Sequence, residues 1–343
     1  MKYKGINYDT GMRTTTGKLT REKLEPEVIA KEINIIRHEL HCNAIRISGL
    51  DIGRIVMASE IALQQNLSVW FSPSLHYENI NNTVPYILDA AERAEELRDK
   101  YGNLVFVVGC EMTLFTPGFI KGDGWKERVS RMFSPLSILK NQLGLRRNYN
   151  KKLNRFLSQL IVKIKKRFHG DITYASGTWE KPDWNLFDYT GVDLYRSFFN
   201  KRNFIAEIHR YKKTGKPLVI TEFGCCTYKG ADDKGAAGWT IVDWNKPKPE
   251  LKGNFTRDET VQSDYIIDLL NIFDKEEVFA AFVFTFISYN YTWSEDTRYD
   301  LDMAAFGITK SMPGNLPGYK NLPWVPKESF FILAEYNKSS SIR

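Results

Sequence analysis

The chain has 343 residues, a formal net charge of +7 and a hydrophobic fraction of 43%. This composition is typical of a folded globular protein and excludes a disordered or low-complexity chain. A run of about 18 apolar residues is absent and the N-terminus lacks the apolar core of a secretory signal, so we expect a cytoplasmic protein without a membrane span. Four dispersed cysteines are too few for a disulfide framework, which fits a reducing compartment.

Short apolar runs alternate with longer amphipathic stretches about eight times along the chain. Strands are predicted over residues 4–8, 44–47, 68–71, 104–108, 172–175, 190–194, 218–221 and 280–286. Helices are predicted over residues 26–40, 52–65, 85–100, 150–168, 204–213, 258–273 and 327–336, with Pro26 and Pro85 in first turns. Because no glycine-rich phosphate turn follows the first strand, the alternation favours an α/β fold, one closed parallel (β/α)8 TIM barrel over residues 1–343.

Three connections are much longer than the others. They cover residues 112–149, 224–256 and 287–326, and they follow the fourth, seventh and eighth predicted strands. In a barrel of this kind the loops that follow strands lie on the C-terminal face, where active sites are built. We therefore expect the functional site on that face.

Common nucleotide and metal signatures do not fit this sequence. "GMRTTTGKLT" has glycines six apart and Leu19 where a P-loop needs serine or threonine. "RHELHC" spaces His38 and His41 three apart rather than four, which excludes the zinc-protease helix motif. CxxC pairs and glycine-flanked nucleophilic serines are also absent. We therefore expect neither a metal nor an organic cofactor.

Two predicted buried strands end in glutamate, in "LVFVVGCE" and "LVITE". Burying an unpaired carboxylate is costly, so each side chain should be paired, protonated or at the mouth of a pocket. Glu111 ends the fourth strand and Glu222 the seventh, so the two face each other across one opening. In a barrel about 15 Å wide their carboxyl groups would lie about 5 to 6 Å apart. That separation favours a retaining glycosidase, at about 5 to 5.5 Å, over an inverting one, at about 6.5 to 9.5 Å.

On these residues the sequence resembles the glycoside hydrolases of clan A, retaining enzymes built on eight-stranded barrels. The resemblance implies that Glu111 is the general acid and base and that Glu222 is the nucleophile. "NAIRISG" is similar to the clan's second strand, which implies that Arg46 lies beside the nucleophile; an ion pair at the surface is the alternative for Arg46. Bacterial proteins similar to this one are sometimes labelled abortive phage infection proteins, but no residue explains that label.

Other residue types that the clan places around its nucleophile are present too. "SLHYEN" offers His76 for a sugar hydroxyl, and "GVDLYR" offers Tyr195 as a hydrogen-bond donor to Glu222. Aromatic platforms for a sugar ring are expected at three tryptophans that follow strands: Trp179, Trp239 and Trp293. A structural role is the alternative for each of these side chains.

One residue departs from the clan's pattern. The clan usually has an asparagine immediately before the acid and base, where it binds the sugar 2-hydroxyl, whereas this chain has Cys110, and a thiol is a weak donor. Asn79 or Asn290 supplies that contact, or the substrate is unusual, or glycosidase activity has been lost. Four more acids near strand ends or in long loops are interpreted as ordinary solvated groups, with substrate binding as the alternative: Glu180, Asp193, Asp243 and Glu295.

Positive charge is concentrated between residues 140 and 167, on Lys140, Arg146, Arg147, Lys151, Lys152, Arg155, Lys163, Lys165, Lys166 and Arg167. The apolar spacing of this segment predicts an amphipathic helix with a solvated basic face. The rival interpretation of the chain is a non-catalytic barrel that binds nucleic acid or another polyanion through this segment. Under the preferred interpretation the partner is a carbohydrate substrate, with no membrane involved. The sequence does not set the oligomeric state.

Overall fold

Eight parallel strands close into a barrel in the computed structural model, which describes residues 1–14, 17–132, 134, 148–314, 316 and 318–340. The barrel strands are β1 (Tyr3–Asp9), β2 (Ala44–Gly49), β3 (Ser68–Pro73), β4 (Leu104–Cys110), β5 (Ile172–Gly177), β6 (Thr190–Asp193), β7 (Leu218–Phe223) and β8 (Ala280–Val283). Each strand pairs with its neighbours in chain order, and β8 pairs with β1 to complete the ring. The predicted TIM-barrel fold is confirmed.

Helices alternate with the barrel strands and pack against them. The described helices are α1 (Pro26–His38), α2 (Ile52–Gln64), α3 (Ile80–Tyr101), α4 (Met112–Phe115), α5 (Trp125–Met132), α6 (Asn148–Ile164), α7 (Phe204–Lys212), α8 (Glu259–Lys275) and α9 (Glu328–Ser340). Asp51, Asn79 and Asp258 cap α2, α3 and α8 by accepting hydrogen bonds from backbone amides. Because Asn79 caps α3, this helix begins before Pro85, and the predicted first-turn position of that proline is wrong.

The interior of the barrel changes from apolar to polar along its strands. Eight buried side chains form one apolar cluster: Ala44, Trp70, Val105, Val107, Ala175, Val219, Ala280 and Phe282. Strand side chains alternate between faces, so residues two positions further along point the same way. Arg46 and Ser72 follow Ala44 and Trp70 by two residues, and Arg46 reaches both Ser72 and Asn7. A polar layer therefore lies at the C-terminal end of the barrel.

The long loops of the C-terminal face carry small elements of their own. After β7, Val242–Asp243 pairs antiparallel with Glu250–Leu251, and after β8, Thr309–Ser311 pairs with Trp324–Pro326. The loop after β4 contains α4 and α5, and most of its remainder lies outside the described residues. Among the helices that the structure describes, none is both long and apolar enough to cross a membrane.

Candidate active site

Glu222 lies near the end of β7, and side chains from two other segments hold it. Arg46 Nη1 donates to Glu222 Oε1 at 2.7 Å, and the Tyr195 hydroxyl donates to Glu222 Oε2 at 3.1 Å. The Glu222 side chain is 15% exposed, so it is accessible from the mouth of the barrel. Donors on both oxygens fix the plane of the carboxylate, and they are the two residues that the resemblance implied beside it.

Arg46 is a buried cation that links several strands at the barrel mouth. It is 1% exposed, and it donates to Asn7 Oδ1 at 3.1 Å, to Ser72 Oγ at 3.3 Å and to the carbonyl of Thr221 at 3.3 Å, besides its bond to Glu222. The alternative of an ion pair at the surface is therefore wrong. Arg46 therefore places a fixed positive charge directly beside the Glu222 carboxylate.

A β-bulge determines the direction of the Glu222 side chain. Ile220 of β7 pairs with Val192 of β6, but the next pair joins Glu222 to Asp193, so Thr221 is one extra residue on β7. The register of β7 against β8 shifts at the same place. Bulges of this kind bend a strand and redirect its side chains. Strict alternation would place Glu222 on the face opposite to Val219, away from the barrel interior.

Glu111 directly follows β4 and differs from Glu222 in its environment. Its backbone is left-handed, with φ 44° and ψ 41°, a conformation that costs a residue other than glycine about 1–3 kcal/mol. Burial raises the pKa of the Glu111 carboxyl well above its ordinary value, and the charges of Asp193, Glu222 and Glu180 raise it further. The charge of Arg46 acts in the opposite direction. Glu111 therefore favours the protonated form.

The strand before Glu111 is irregular as well. Val107 pairs with Thr173 of β5, and the next pair joins Cys110 to Ala175, which leaves one extra residue on β4. The amide of Glu111 still donates to the carbonyl of Ala175 at 2.9 Å. Both candidate catalytic glutamates thus follow a shift in strand register, a feature that is over-represented next to active sites.

Asp193 and Cys110 lie beside Glu222 in one polar cluster. Asp193 ends β6, is 3% exposed and accepts a hydrogen bond from the Thr221 hydroxyl at 2.7 Å. The Cys110 sulfur lies 3.5 Å from Asp193 Oδ2 and 3.7 Å from Glu222 Oε1. Burial raises the pKa of Asp193, and the charge of Glu222 adds to that effect. The interpretation of Asp193 as an ordinary solvated acid is wrong.

The same correction applies to Glu180, which is buried behind Glu111 in the turn after β5. It is 3% exposed and accepts hydrogen bonds from the Thr113 amide and the Tyr174 hydroxyl. The other two acids fit the interpretation, since Asp243 is half-buried and Glu295 is exposed.

Within the described part of the chain, one group of donor atoms is close enough to share a metal ion. The Cys110 sulfur and carboxylate oxygens of Asp193 and Glu222 all lie within 4.8 Å of one another. However, Arg46 already places a positive charge on Glu222 Oε1, the oxygen nearest to the thiol. Burial raises the pKa of Cys110, and the carboxylates raise it further, whereas a thiol must lose its proton to bind a metal. These atoms fit a hydrogen-bonded cluster better than a metal centre.

His76 packs close to this cluster as a neutral side chain. Its ring stacks on Phe115 with centroids 4.4 Å apart, and its Nε2 lies 3.2 Å from the Ser74 hydroxyl. Burial lowers the pKa of His76 to about 4, and the charge of Arg46 lowers it further. His76 and Cys110 both line a cavity of about 20 Å³, which has room for about one water molecule. The described contacts of His76 are thus those of a packed residue, and its contact with sugar stays a prediction.

The three tryptophans occupy different environments. Trp179 follows β5, and its indole Nε1 donates to the Thr113 hydroxyl at 3.0 Å. Trp239 lines a large cavity on the C-terminal face. The ring of Trp293 lies 5.2 Å from Nζ of Lys310, which occupies one of its faces. Of these three, Trp239 is therefore the one best placed to contact a ligand in that cavity, and the roles of Trp179 and Trp293 as platforms stay predictions.

The large cavity has a volume of about 870 Å³ and is bounded by loops that follow β1, β3, β7 and β8. Its aromatic wall consists of Tyr77, Trp239, Trp244, Phe284, Tyr289, Tyr291 and Phe306. Of the described residues that line it, none is a candidate catalytic glutamate. Phe306 connects this cavity to Glu222. It lines the cavity, and its ring centroid lies 5.7 Å from that of Tyr195, which donates to Glu222. Asn290 also lines this cavity, whereas Asn79 is used as the cap of α3.

Similarity to known proteins is found in structure and not in sequence. The sequence matches no protein-family model and no curated protein. A GH113 β-1,4-mannanase complex aligns over 99% of this chain and 100% of its own, with TM-score 0.61 and 14% identity. The GH113 β-mannanase AaManA from Alicyclobacillus acidocaldarius aligns over 98% of this chain and 96% of its own, with TM-score 0.59 and 11% identity.

A third similar structure is a calcium-binding mutant of β-glucuronidase 2 from Bacteroides uniformis. It aligns over 94% of this chain and 33% of its own, with TM-score 0.56 and 14% identity. Identities this low establish the fold alone. The chain therefore shares the fold of these structures, a closed (β/α)8 barrel, as the alternation of strands and helices predicted.

Proposed function

We propose that this protein is a retaining glycoside hydrolase or transglycosidase in which Glu222 is the nucleophile and Glu111 the general acid and base. The observation that carries the proposal is the unequal environment of the two carboxyls. Arg46 and Tyr195 donate to Glu222, whereas burial and neighbouring negative charge raise the pKa of Glu111. Pairs of carboxyl groups with opposed environments divide the acid and nucleophile roles in this chemistry.

The reaction follows from these roles in two displacements. In the first, a Glu222 oxygen attacks the anomeric carbon while Glu111 gives its proton to the departing glycosidic oxygen, and a covalent glycosyl ester forms. In the second, ionised Glu111 takes a proton from water or an acceptor hydroxyl, whose oxygen attacks the same carbon and releases Glu222. The effect of the Glu222 charge on the pKa of Glu111 supports their proximity, and the separation of about 5 to 6 Å stays a prediction.

The aromatic cavity supports a carbohydrate as the substrate. Its volume of about 870 Å³ is in the upper part of the range for ligand sites, about 300–1,000 Å³. Aromatic rings offer flat apolar faces on which sugar rings stack, and Tyr and Trp add a polar edge for hydroxyl groups. Similar structures named as mannanases and a glucuronidase agree with a glycan substrate. We infer that the glycan lies in this cavity, with its reacting ring past Phe306 and against Tyr195 and Glu222.

Covalent trapping tests the function directly. The protein is incubated with a panel of 2,4-dinitrophenyl 2-deoxy-2-fluoro glycosides, which form the glycosyl ester quickly and release it slowly. We expect one reagent to add a single fluorosugar mass that peptide mapping places on Glu222. Hydrolysis of the matching glycoside should release the product with retained configuration by ¹H NMR. A label on another residue, or an inverted product, would contradict the proposal.

Removal of the Tyr195 hydroxyl is expected to weaken the reaction moderately. A hydrogen bond to a charged group contributes about 1.5–3 kcal/mol, so Tyr195→Phe should lower kcat/KM by about 10- to 100-fold. Tyr189→Phe is the matched control, because the Tyr189 hydroxyl also donates to a carboxylate, that of Asp171, at the opposite end of the barrel. Equal kinetics for Tyr195→Phe and the wild type would exclude a role for this hydrogen bond.

The alternative function, binding of a polyanion, has support in the exposed face of α6. Six exposed cations lie on or just after this helix: Lys151, Lys152, Arg155, Lys163, Lys165 and Lys166. Lys140, Arg146 and Arg147 of the predicted basic segment lie outside the described residues. Binding of single-stranded nucleic acid that weakens steeply with added salt would support this alternative, and it leaves the trapping result on Glu222 unaffected.

A further inference from the structure

The turn that carries Glu111 needs support from outside its own strand. Glu111 has a left-handed backbone, and a residue other than glycine keeps that conformation only when its surroundings determine it. The short helix α4 begins directly after it, and the amides of Leu114 and Phe115 bond back to the Glu111 carbonyl. The first two amides of α4 belong to Met112 and Thr113, and they need acceptors of their own.

Both of these amides are held by a pair of side chains from β5 and the turn after it. The Met112 amide donates to the Tyr174 hydroxyl at 2.8 Å, and the Thr113 amide donates to Glu180 Oε1 at 2.9 Å. The Tyr174 hydroxyl in turn donates to Glu180 Oε2 at 2.8 Å. One carboxylate therefore fixes, directly or through one hydroxyl, the two peptide units that follow Glu111.

The position of Glu180 is itself fixed. It is 3% exposed, and its amide donates to the Gly177 carbonyl at 2.9 Å, which closes a tight turn. Trp179, inside that turn, bonds to the Thr113 hydroxyl. Its ring covers Gly177 so closely that a Cβ there would come within 2.4 Å of it. The turn after β5 thus packs against α4 through Trp179 and Glu180.

We propose that Glu180 is a positioning residue for Glu111, holding the left-handed turn through the Met112 and Thr113 amides and adding a negative charge behind the acid and base. This inference rests on the proposed function, in which Glu111 delivers a proton. Glu180 acts on the reaction through Glu111, without a role of its own at the reacting atoms.

The electrostatic part of the proposal has a definite sign. Burial raises the pKa of Glu180 to about 7, although its hydrogen bonds with Thr113, Tyr174 and Gly177 lower it. Glu180 therefore becomes charged as the pH rises through about 7, and this charge raises the pKa of Glu111. Loss of the charge lowers the pKa of Glu111. The other charged or titratable groups that act on Glu111 come from β2, β4, β7 and β6 with the segment after it, and they are Arg46, Cys110, Asp193, Tyr195 and Glu222.

The test compares Glu180→Gln and Tyr174→Phe with the wild type. Glu180→Gln keeps an acceptor for the Thr113 amide and removes the charge, whereas Tyr174→Phe keeps the charge and removes the acceptor for Met112. The exposed Glu335 of α9 provides the matched control, Glu335→Gln. Folding of each variant is followed by thermal unfolding, and activity is measured on two aryl glycosides, one with a poor and one with an activated leaving group.

Glu180→Gln should lose about 10- to 100-fold in kcat/KM on the poor leaving group, as expected for a misplaced acid, and much less on the activated one. The alkaline limb of its pH profile should move to lower pH. Tyr174→Phe should show the same leaving-group dependence with a smaller shift of that limb. Equal losses on both substrates with an unmoved limb would overturn the proposal, because a general structural defect behaves in that way.

A second readout separates this inference from the proposed function. The Glu111 carboxyl is titrated by ¹³C NMR in protein labelled at glutamate, with Glu111→Gln used to assign its signal. A lower pKa of Glu111 in Glu180→Gln supports the positioning role even if the wild type hydrolyses none of the glycosides. An unchanged pKa of Glu111 in the folded variant overturns it, whatever the activity of the wild type.

Discussion

Glu222→Gln is expected to lower kcat/KM on every glycoside by at least about 10⁴-fold, because it removes the nucleophile and with it the covalent route. A loss of this size should be seen with both poor and activated leaving groups, since each leaving group departs in the same step in which Glu222 attacks the anomeric carbon. Gln preserves the shape of Glu and an oxygen for Tyr195 or Arg46 to bond. Initial rates at high enzyme concentration provide the measurement.

A chemical rescue experiment accompanies this variant. Glu222→Ala leaves space at the nucleophile position, and added azide should attack the anomeric carbon there and give a glycosyl azide of inverted configuration. Glu335→Gln is again the matched control and should retain full activity. Retention of more than about one hundredth of wild-type kcat/KM by Glu222→Gln would remove Glu222 from the nucleophile role.

Glu111→Gln is expected to reduce turnover in a way that depends on the leaving group. General acid catalysis contributes about 10²–10⁴-fold, so glycosides with poor leaving groups should lose that factor, whereas formation of the covalent intermediate from a dinitrophenyl glycoside should change little. Breakdown of the intermediate needs Glu111 as the base, so the variant should accumulate the glycosyl enzyme. Burst kinetics and intact-protein mass spectrometry measure both effects.

The pH dependence of wild-type activity tests the assignment of Glu111 as the general acid independently. Glu111 must be protonated to act as an acid, and burial raises its pKa above the ordinary value of a glutamate. Activity should therefore persist above the pH at which an exposed glutamate ionises, and it should fall as the pH rises through the pKa of Glu111 in the folded protein. In Glu111→Gln this alkaline limb should disappear. If the alkaline limb persisted unchanged in Glu111→Gln, it would report the ionisation of another group.

Much of the fold could be predicted from the sequence, because buried parallel strands and amphipathic helices differ in length and in apolar spacing. All eight predicted strands overlap the observed ones. The errors in the predicted bounds are at the ends of strands and helices, where capping and tertiary hydrogen bonds determine the boundary. Residues 284–286 were predicted as part of the eighth strand, but β8 ends at Val283, and Phe284 and Phe286 bond instead to the carbonyls of Phe223 and Asn7.

The candidate site was accessible from the sequence only in part. Carboxylates at the ends of apolar runs indicated Glu111 and Glu222, and Arg46 on a buried strand could be recognised as a partner. Asp193 also stands at a strand end, yet its contacts with Thr221 and Cys110 join side chains of three different strands, which the sequence does not reveal. For Glu180 the sequence shows only an acid after a predicted strand, because its proposed function comes from contacts with two backbone amides rather than from a motif.

The extra residue in β7 means that the orientation of Glu222 depends on the number of residues in that strand as well as on their identity. A homologue without the extra residue would carry its glutamate two positions after the counterpart of Val219, where regular alternation alone points the side chain into the barrel. Such a homologue could therefore keep both the glutamate and its orientation with one residue fewer in this strand. Sequence comparisons that allow no gap inside the strand would then misalign the two nucleophile positions.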